Sequence, residues 1–338
     1  MADDASIASS VRYEIKVAGV SEQQRIVQQE QEVSMDERLA LMTDGLIKSY
    51  GKIEALRGVD LEVERGEILG FLGPNGAGKT TTIRCLLDLI RPQGGTIRVL
   101  GLDPQRNPVA VRARVGYLPG ELSLEPNMKV DDVLRYFNHL RGNATDWEHV
   151  RQLAERLELD LGMVIKNLSR GNKQKVGVIQ ALMSRPELLL LDEPTAGLDP
   201  LMQREVYRLL KEAQDAGATV FFSSHIISEV ETIAERVAII RSGVIVEEAK
   251  PEQLIRMAVR RVHIRFMEPV DPTPLVNTDG VSLLSQDDGT SVTVQVEGAM
   301  DALIKKLAGF PVSDLDMERP SLEEIFLTFY EAEKKEEN

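Results

Sequence analysis

The sequence predicts an α/β fold, with a large α/β domain over residues 38–249 followed by a small α+β accessory domain over residues 250–330. Three observations carry this reading. The runs 68–72 (ILGFL) and 188–191 (LLLL) are apolar without polar alternation, which suits strands buried on both faces. Helical stretches separate such runs, as in a layered sheet with helices on its faces. After about Ala249 the texture changes, and residues 260–266 and 291–297 alternate apolar with polar, as strands with one wet face do.

Taken in order, residues 1–37 are polar, and their Gln- and Glu-rich stretch 22–32 offers little apolar area to bury, so a tail is expected. Met35 opens the patterned region and is a candidate translation start. Strands are expected at 40–47, 59–63, 68–72, 96–99, 115–118, 188–191 and 219–222, with a hairpin formed by 237–240 and 244–247. Helices are expected at 78–89, 131–140, 147–157, 172–182, 201–213 and 226–235. Those from 131 to 182 belong to a helical insert over about 125–183 that interrupts the strands. In the accessory domain, Pro269, Pro272, Pro274, Gly280 and the Asp287-Asp288-Gly289 turn separate the two strands, and helices are expected at 299–307 and 322–330. Residues 331–338 read as a solvated tail.

Composition narrows the function. Of 338 residues, 43% are hydrophobic, enough for a substantial core, while only 4% are aromatic, too few for extended base-stacking platforms. A formal net charge of -14 argues against broad binding to nucleic acid or anionic lipid. The single cysteine, Cys85, is expected to be reduced and to serve as a small buried hydrophobe. No window approaches the roughly 20 apolar residues that span a bilayer, so action at a membrane would need a partner. His139, His149 and His263 have no ligand-like grouping, and no zinc site is expected.

The decisive motif is Gly73-Pro74-Asn75-Gly76-Ala77-Gly78-Lys79-Thr80, followed by Thr81. It satisfies every fixed position of the phosphate-loop pattern, with a buried strand before it and a helix after it. Glycines let the loop close so that backbone N–H groups surround phosphate oxygens, and the helix N-terminus adds its positive end. Lys79 has the length to reach the outer phosphates, and the Thr80 hydroxyl suits Mg²⁺. A second strand, 188–191, delivers Asp192 and Glu193. On a strand neighbouring the loop, Asp192 would hold Mg²⁺ through water and Glu193 would activate the attacking water. His225, after Ser223-Ser224 at a third strand end, is a candidate contact to the terminal phosphate or that water.

Together these residues strongly resemble the nucleotide-binding subunit of the ATP-binding cassette (ABC) transporter family over about residues 40–249. The stretch Leu168-Ser169-Arg170-Gly171-Asn172-Lys173-Gln174 resembles the family's signature, Ala196-Gly197-Leu198-Asp199 its D-loop, Ser224-His225 its switch histidine, and Tyr50 its adenine-stacking aromatic residue. The resemblance implies a P-loop NTPase of ABC type and a Mg²⁺-dependent ATPase. It also implies a homodimer in which each ATP lies between the loop of one subunit and Ser169 and Gly171 of the other. An ABC-type transmembrane permease subunit would be the other partner, holding the protein at the cytoplasmic face of the membrane, and no direct nucleic-acid contact is expected.

Four positions depart from the family's commonest pattern. Arg170 replaces the first signature Gly, and Asn172 and Lys173 also differ from the commonest form. Gly120, in Val115-Gly116-Tyr117-Leu118-Pro119-Gly120-Glu121, stands where the family usually has a Gln that senses Mg²⁺ and couples to the membrane subunit. The Gly-Glu pair and the segment 319–327 (RPSLEEIFL) resemble drug and antibiotic exporter subunits, which implies export of such a compound. The alternative is a soluble ABC ATPase that remodels ribosomes or nucleic acid, disfavoured by the single cassette, sparse aromatics and negative charge. A non-hydrolytic regulatory binder is disfavoured by Glu193.

Overall fold

The structure is a computed structural model that describes residues 38–143, 145–251, 253, 260–296 and 300–318. Its centre is built from β3 (Ile68–Leu72), β6 (Leu188–Asp192) and β7 (Thr219–Ser224), whose residues are all buried. With β5 (Val115–Leu118), β8 (Arg236–Arg241) and β9 (Val244–Ala249) they form a six-stranded sheet of order β5-β6-β7-β3-β8-β9. The first five run parallel, and β9 returns antiparallel through a turn in which Ser242 and Gly243 both have positive φ. The strand carrying Asp192 is therefore not a direct neighbour of the strand before the phosphate loop. β7 lies between them, and its C-terminal end brings Ser223 and His225 between the two parts of the site. Sequence period does not encode strand order, so this correction was beyond its reach.

Alternation along the buried strands divides the core. Leu69, Phe71, Leu188, Leu190 and Phe221 face one side. There they meet an antiparallel sheet of order β2-β1-β4, made of β1 (Leu39–Tyr50), β2 (Ile53–Glu64) and β4 (Gly94–Val99). Helix α1 (Lys79–Leu86) adds Ile83, Cys85 and Leu86 to the same core. Burial raises the Cys85 thiol pKa to about 11, so it is an inert thiol in an apolar place. Ile68, Leu72, Leu189, Leu191, Val220 and Phe222 face the other side. They pack with helices of the insert and with α6 (Pro200–Asp215) and α7 (Ile227–Ile233).

The insert contains α3 (Val130–Leu140), α4 (Trp147–Arg156) and α5 (Arg170–Leu182). Asp146 caps α4 by accepting the Glu148 N–H at 3.0 Å, and the Arg135 guanidinium lies 4.0 Å from the Trp147 ring centroid. Arg156 joins the insert to α6, donating to Glu205 at 2.7 Å and to Glu212 at 2.5 and 2.8 Å. Several expected helices shift at their ends, two of them beside the site. The first ends at Leu86, short of Leu89, with Asp88 at φ 52. The signature helix starts at Arg170, because the Ser169 hydroxyl oxygen accepts the Asn172 N–H at 3.2 Å as its N-cap. A short helix, α2 (Pro108–Arg114), was not expected; it is a seven-residue element opened by proline at its first turn.

The C-terminal part contains β10 (Arg260–Phe266), α8 (Thr273–Val276), β11 (Val281–Asp287), β12 (Ser291–Val296), α9 (Asp301–Leu307) and β13 (Val312–Glu318). The strands form an antiparallel sheet of order β11-β12-β10-β13. Val262, Ile264, Val292 and Val294 bury its inner face with Leu275 and Leu303. Strands β11 and β13 were not expected. The first has an irregular register between Leu283 and Ser285, and the second is the acid-rich edge strand VSDLDME. The expected tails, Met35 and the helix over 322–330 lie outside the described residues. Among the described residues, no helix is long and apolar enough to cross a membrane.

Candidate phosphate-binding and hydrolysis site

Residues 73–78 connect β3 to α1 and make a small cavity of about 140 Å3. It is lined by Asn75, Gly76, Gly78, Lys79, Thr80 and Thr81 of the motif, with Ala55 and Glu193. Gly78 has φ 117, and a Cβ there would lie 2.8 Å from the Ala55 carbonyl oxygen. The loop thus requires glycine on both conformational and steric grounds. Gly78→Ala is expected to lower stability by about 1–3 kcal/mol through strain, read as a fall in the melting temperature of the ligand-free protein.

Lys79 is 5% exposed, and its ammonium donates to the carbonyls of Gly73 at 2.6 Å and Pro74 at 3.1 Å. Burial pushes its pKa down, opposed by the negative charges of Glu193 and then Asp192. The loop's base is closed by the Ala77 N–H donating to Pro74 at 3.2 Å and the Gly243 N–H donating to Ala77 at 2.9 Å. The β8–β9 turn is therefore part of the cradle. So is Ala55, which an ordinary strand sequence gave no means of finding.

The sheet edge brings the acidic pair to this loop. Thr80 Oγ1 donates to Asp192 Oδ2 at 2.7 Å, and Ser223 Oγ donates to Asp192 Oδ1 at 2.5 Å. The Glu193 N–H donates to Ser223 Oγ at 3.2 Å. Glu193 has φ 52, a backbone conformation that a non-glycine residue adopts at a cost, as functional turns often do. Its carboxylate Oε1 lies 2.8 Å from His225 Nδ1. With Glu193 ionised, Nδ1 carries the proton and donates, which fixes the imidazole ring.

The residues present fit Mg²⁺ bound together with nucleotide. Thr80 and Asp192 offer a hydroxyl and a carboxylate, both hard oxygen donors, at one point beside the cavity. Among the described residues, no cluster of three or more His, Cys, Asp and Glu side chains forms a separate metal site. A Cβ on Gly120 would lie 3.0 Å from Asp192 Oδ2. The missing side chain would therefore have faced the Asp192 carboxylate, and the neighbouring Glu121 is exposed.

Other expected site residues lie elsewhere. Tyr50, 46% exposed, is outside the cavity lining, with the Lys48 ammonium 5.3 Å from its ring centroid. Ser169 and Gly171 do not line the cavity either, and Ser169 is exposed. A Cβ on Gly171 would approach the Gly197 carbonyl oxygen to 2.7 Å. Contact with this chain's own D-loop is thus one reason for glycine there, besides the phosphate approach expected from the sequence. Gln174, buried on α5, donates from Nε2 to the carbonyls of Glu193 at 2.9 Å and Pro194 at 3.1 Å. The signature helix so grips the turn that holds Glu193. Gln174 stands inside the signature stretch and Ser223 just before the switch pair Ser224-His225, but their partners become visible only in three dimensions.

The family description "ABC transporter" matches residues 56–196, and "ATP-binding protein DrrA1-3-like, C-terminal domain" matches residues 253–330. The chain is 33% identical over 301 residues to the daunorubicin resistance ATP-binding protein DrrA3 of Streptomyces coeruleorubidus, covering 85% of this chain and 95% of that one. It is 40% identical over 213 residues to the Nod factor export ATP-binding protein I of Cupriavidus metallidurans, covering 62% and 70%. A solved ATP-binding subunit of an ABC transporter superposes with a TM-score of 0.59 at 28% identity, covering 64% of this chain and 92% of that one. With a phosphate cradle, an acidic pair and a signature helix in one arrangement, the chain belongs to the ABC transporter family as an ATP-hydrolysing ATP-binding subunit.

Proposed function

We propose that two copies of this subunit close head to tail on two ATP molecules and drive export through a separate transmembrane permease. The observation that carries the proposal is the position of the signature. Ser169 is exposed and lies outside the chain's own phosphate cavity, so it is open to a second copy. Its oxygen already accepts the Asn172 N–H, which leaves its O–H proton for a phosphate oxygen. The N-terminus of α5 adds backbone donors.

In this reading residues 38–249 are the nucleotide-binding unit and residues 250–330 an accessory unit. The 73–78 loop and Lys79 hold the phosphates, Tyr50 stacks on adenine, and Thr80 and Asp192 hold Mg²⁺. When bound, that ion neutralises charge on the phosphate oxygens. Glu193 orients the attacking water and accepts its proton. His225 braces Glu193 through Nδ1 and faces the terminal phosphate. Closure follows if nucleotide binds the closed dimer better than the open one.

Cargo of drug-like or antibiotic type is supported by the relative named for daunorubicin resistance and by the matched C-terminal domain. The permease would hold the subunit at the cytoplasmic face of the membrane. Purification from gently solubilised membranes, with ATP turnover followed in parallel, tests this. Recovery of a multispanning partner is expected. Recovery of ribosomes without such a partner would overturn the reading in favour of a remodelling ATPase.

A further inference from the structure

Beside the Glu193–His225 pair lies a buried carboxylate that does not line the phosphate cavity. Glu229, in the first turn of α7, is 7% exposed. Its Oε1 accepts from the Thr195 hydroxyl, and its Oε2 accepts from the Ser224 hydroxyl at 2.5 Å. The Tyr207 phenol of α6 lies beside Glu229. Burial, and then the Glu229 charge, push that phenol's pKa up. All three hydroxyl-bearing residues are themselves buried.

Each hydroxyl belongs to a segment that carries a part of the site. Thr195 is two residues beyond Glu193. Ser224 immediately precedes His225, and its oxygen also accepts the Ile226 N–H at 2.9 Å. Tyr207 stands on the helix that Asp199, the last D-loop residue, caps through the N–H groups of Leu201 and Met202. A buried carboxylate is costly unless its oxygens are satisfied, and an apolar side chain would fill the same space at lower cost. Two converging donors, one on each carboxylate oxygen, offset the cost and convert it into geometry. The carboxylate fixes where two separate strand ends stand relative to one helix.

We propose that Glu229 is a positioning residue for ATP hydrolysis, setting the spacing of Glu193 and His225 by tying Thr195 and Ser224 to α7 and α6. The proposal rests on the roles assigned above to Glu193 and His225. Glu229 touches no substrate; it acts through the two groups that do.

The test uses the full chain and separates turnover from binding. Glu229→Gln keeps the volume but sets an amide N–H₂ against a hydroxyl donor. It is expected to lower kcat by about 10- to 10²-fold, the scale of a misplaced catalytic group, with KM for ATP and equilibrium ATP binding nearly unchanged. In a His225→Ala background the same substitution should add little, because residues acting through one unit are not additive. Fully additive losses would overturn the proposal, as would a lower melting temperature with the kcat of the folded protein unchanged. If Glu229→Gln does not fold, Thr195→Val and Ser224→Ala each remove one donor and should lower kcat at constant KM. Unchanged kcat in both would equally reject it. Should His225→Ala and Glu193→Gln leave turnover intact, the assignment of the pair has failed. Should they abolish it while the Glu229 variants do not, only the positioning role has failed.

Discussion

Glu193→Gln is expected to lower ATP turnover by about 10²- to 10⁴-fold, the range that a positioned general base supplies, while leaving ATP binding in place. The substitution is unusually clean at this position. Gln has the same shape, and its amide oxygen can still accept the His225 Nδ1–H that now lies 2.8 Å from Glu193 Oε1. The backbone contacts that hold the turn do not involve the side chain. The Glu193 N–H reaches Ser223 Oγ, and the Glu193 carbonyl receives Gln174 Nε2. What disappears is the capacity to take a proton from water. Losing an interaction made only in the transition state lowers kcat and kcat/KM together. A bound but unreacted nucleotide should then accumulate, and light scattering with Mg²⁺ and ATP should report a persistent dimer. Steady-state turnover equal to that of the unmodified chain would reject Glu193 as the base.

How much of this was legible in the sequence follows from which physical signals are local. The phosphate loop is local: glycine positions, the lysine and the flanking buried strand all lie within about a dozen consecutive residues, and the structure builds them into one cavity. The doubly buried strands were legible because an unbroken apolar run of four or five residues has few other uses. The order of strands was not, since the place of β7 between β3 and β6 is a long-range pairing that no local period encodes. Ser223 looked like a neighbour of His225, yet its hydroxyl joins Asp192 to the Glu193 backbone. Glu229 carries no local signal within the helix expected over 226–235; only the convergence of Thr195, Ser224 and Tyr207 gives it a buried role. Strand β13 was hidden for the opposite reason. It is an edge strand whose Leu315 and Met317 alternate with acids but are each 42% exposed, so its rhythm marks no buried face.

Lys79→Met should remove most of the ATP affinity. The side chains are similar in length, so the substitution deletes charge and donors rather than volume. Truncating one partner of a buried charge contact costs about 2–5 kcal/mol, which corresponds to roughly 30- to 4,000-fold weaker binding. The free protein makes the sign of the control instructive. Its ammonium is held by the Gly73 and Pro74 carbonyls, and both would lose a donor in the variant. Against this, the variant no longer buries an ammonium that desolvation already disfavours. These opposing effects leave the ligand-free melting temperature little changed, whereas the stabilisation that Mg²⁺-ATP confers scales with the logarithm of concentration over Kd. Thermal unfolding with and without Mg²⁺-ATP therefore separates the two roles of the lysine. The unmodified chain should show a nucleotide-dependent rise in melting temperature, and the variant should lose it at the same concentration. An undiminished rise would mean that the backbone N–H groups of the loop and the N-terminus of α1 bind the phosphates without help from Lys79. A collapse of the ligand-free melting temperature would mean that its hydrogen bonds to Gly73 and Pro74 hold the loop in shape before any nucleotide arrives.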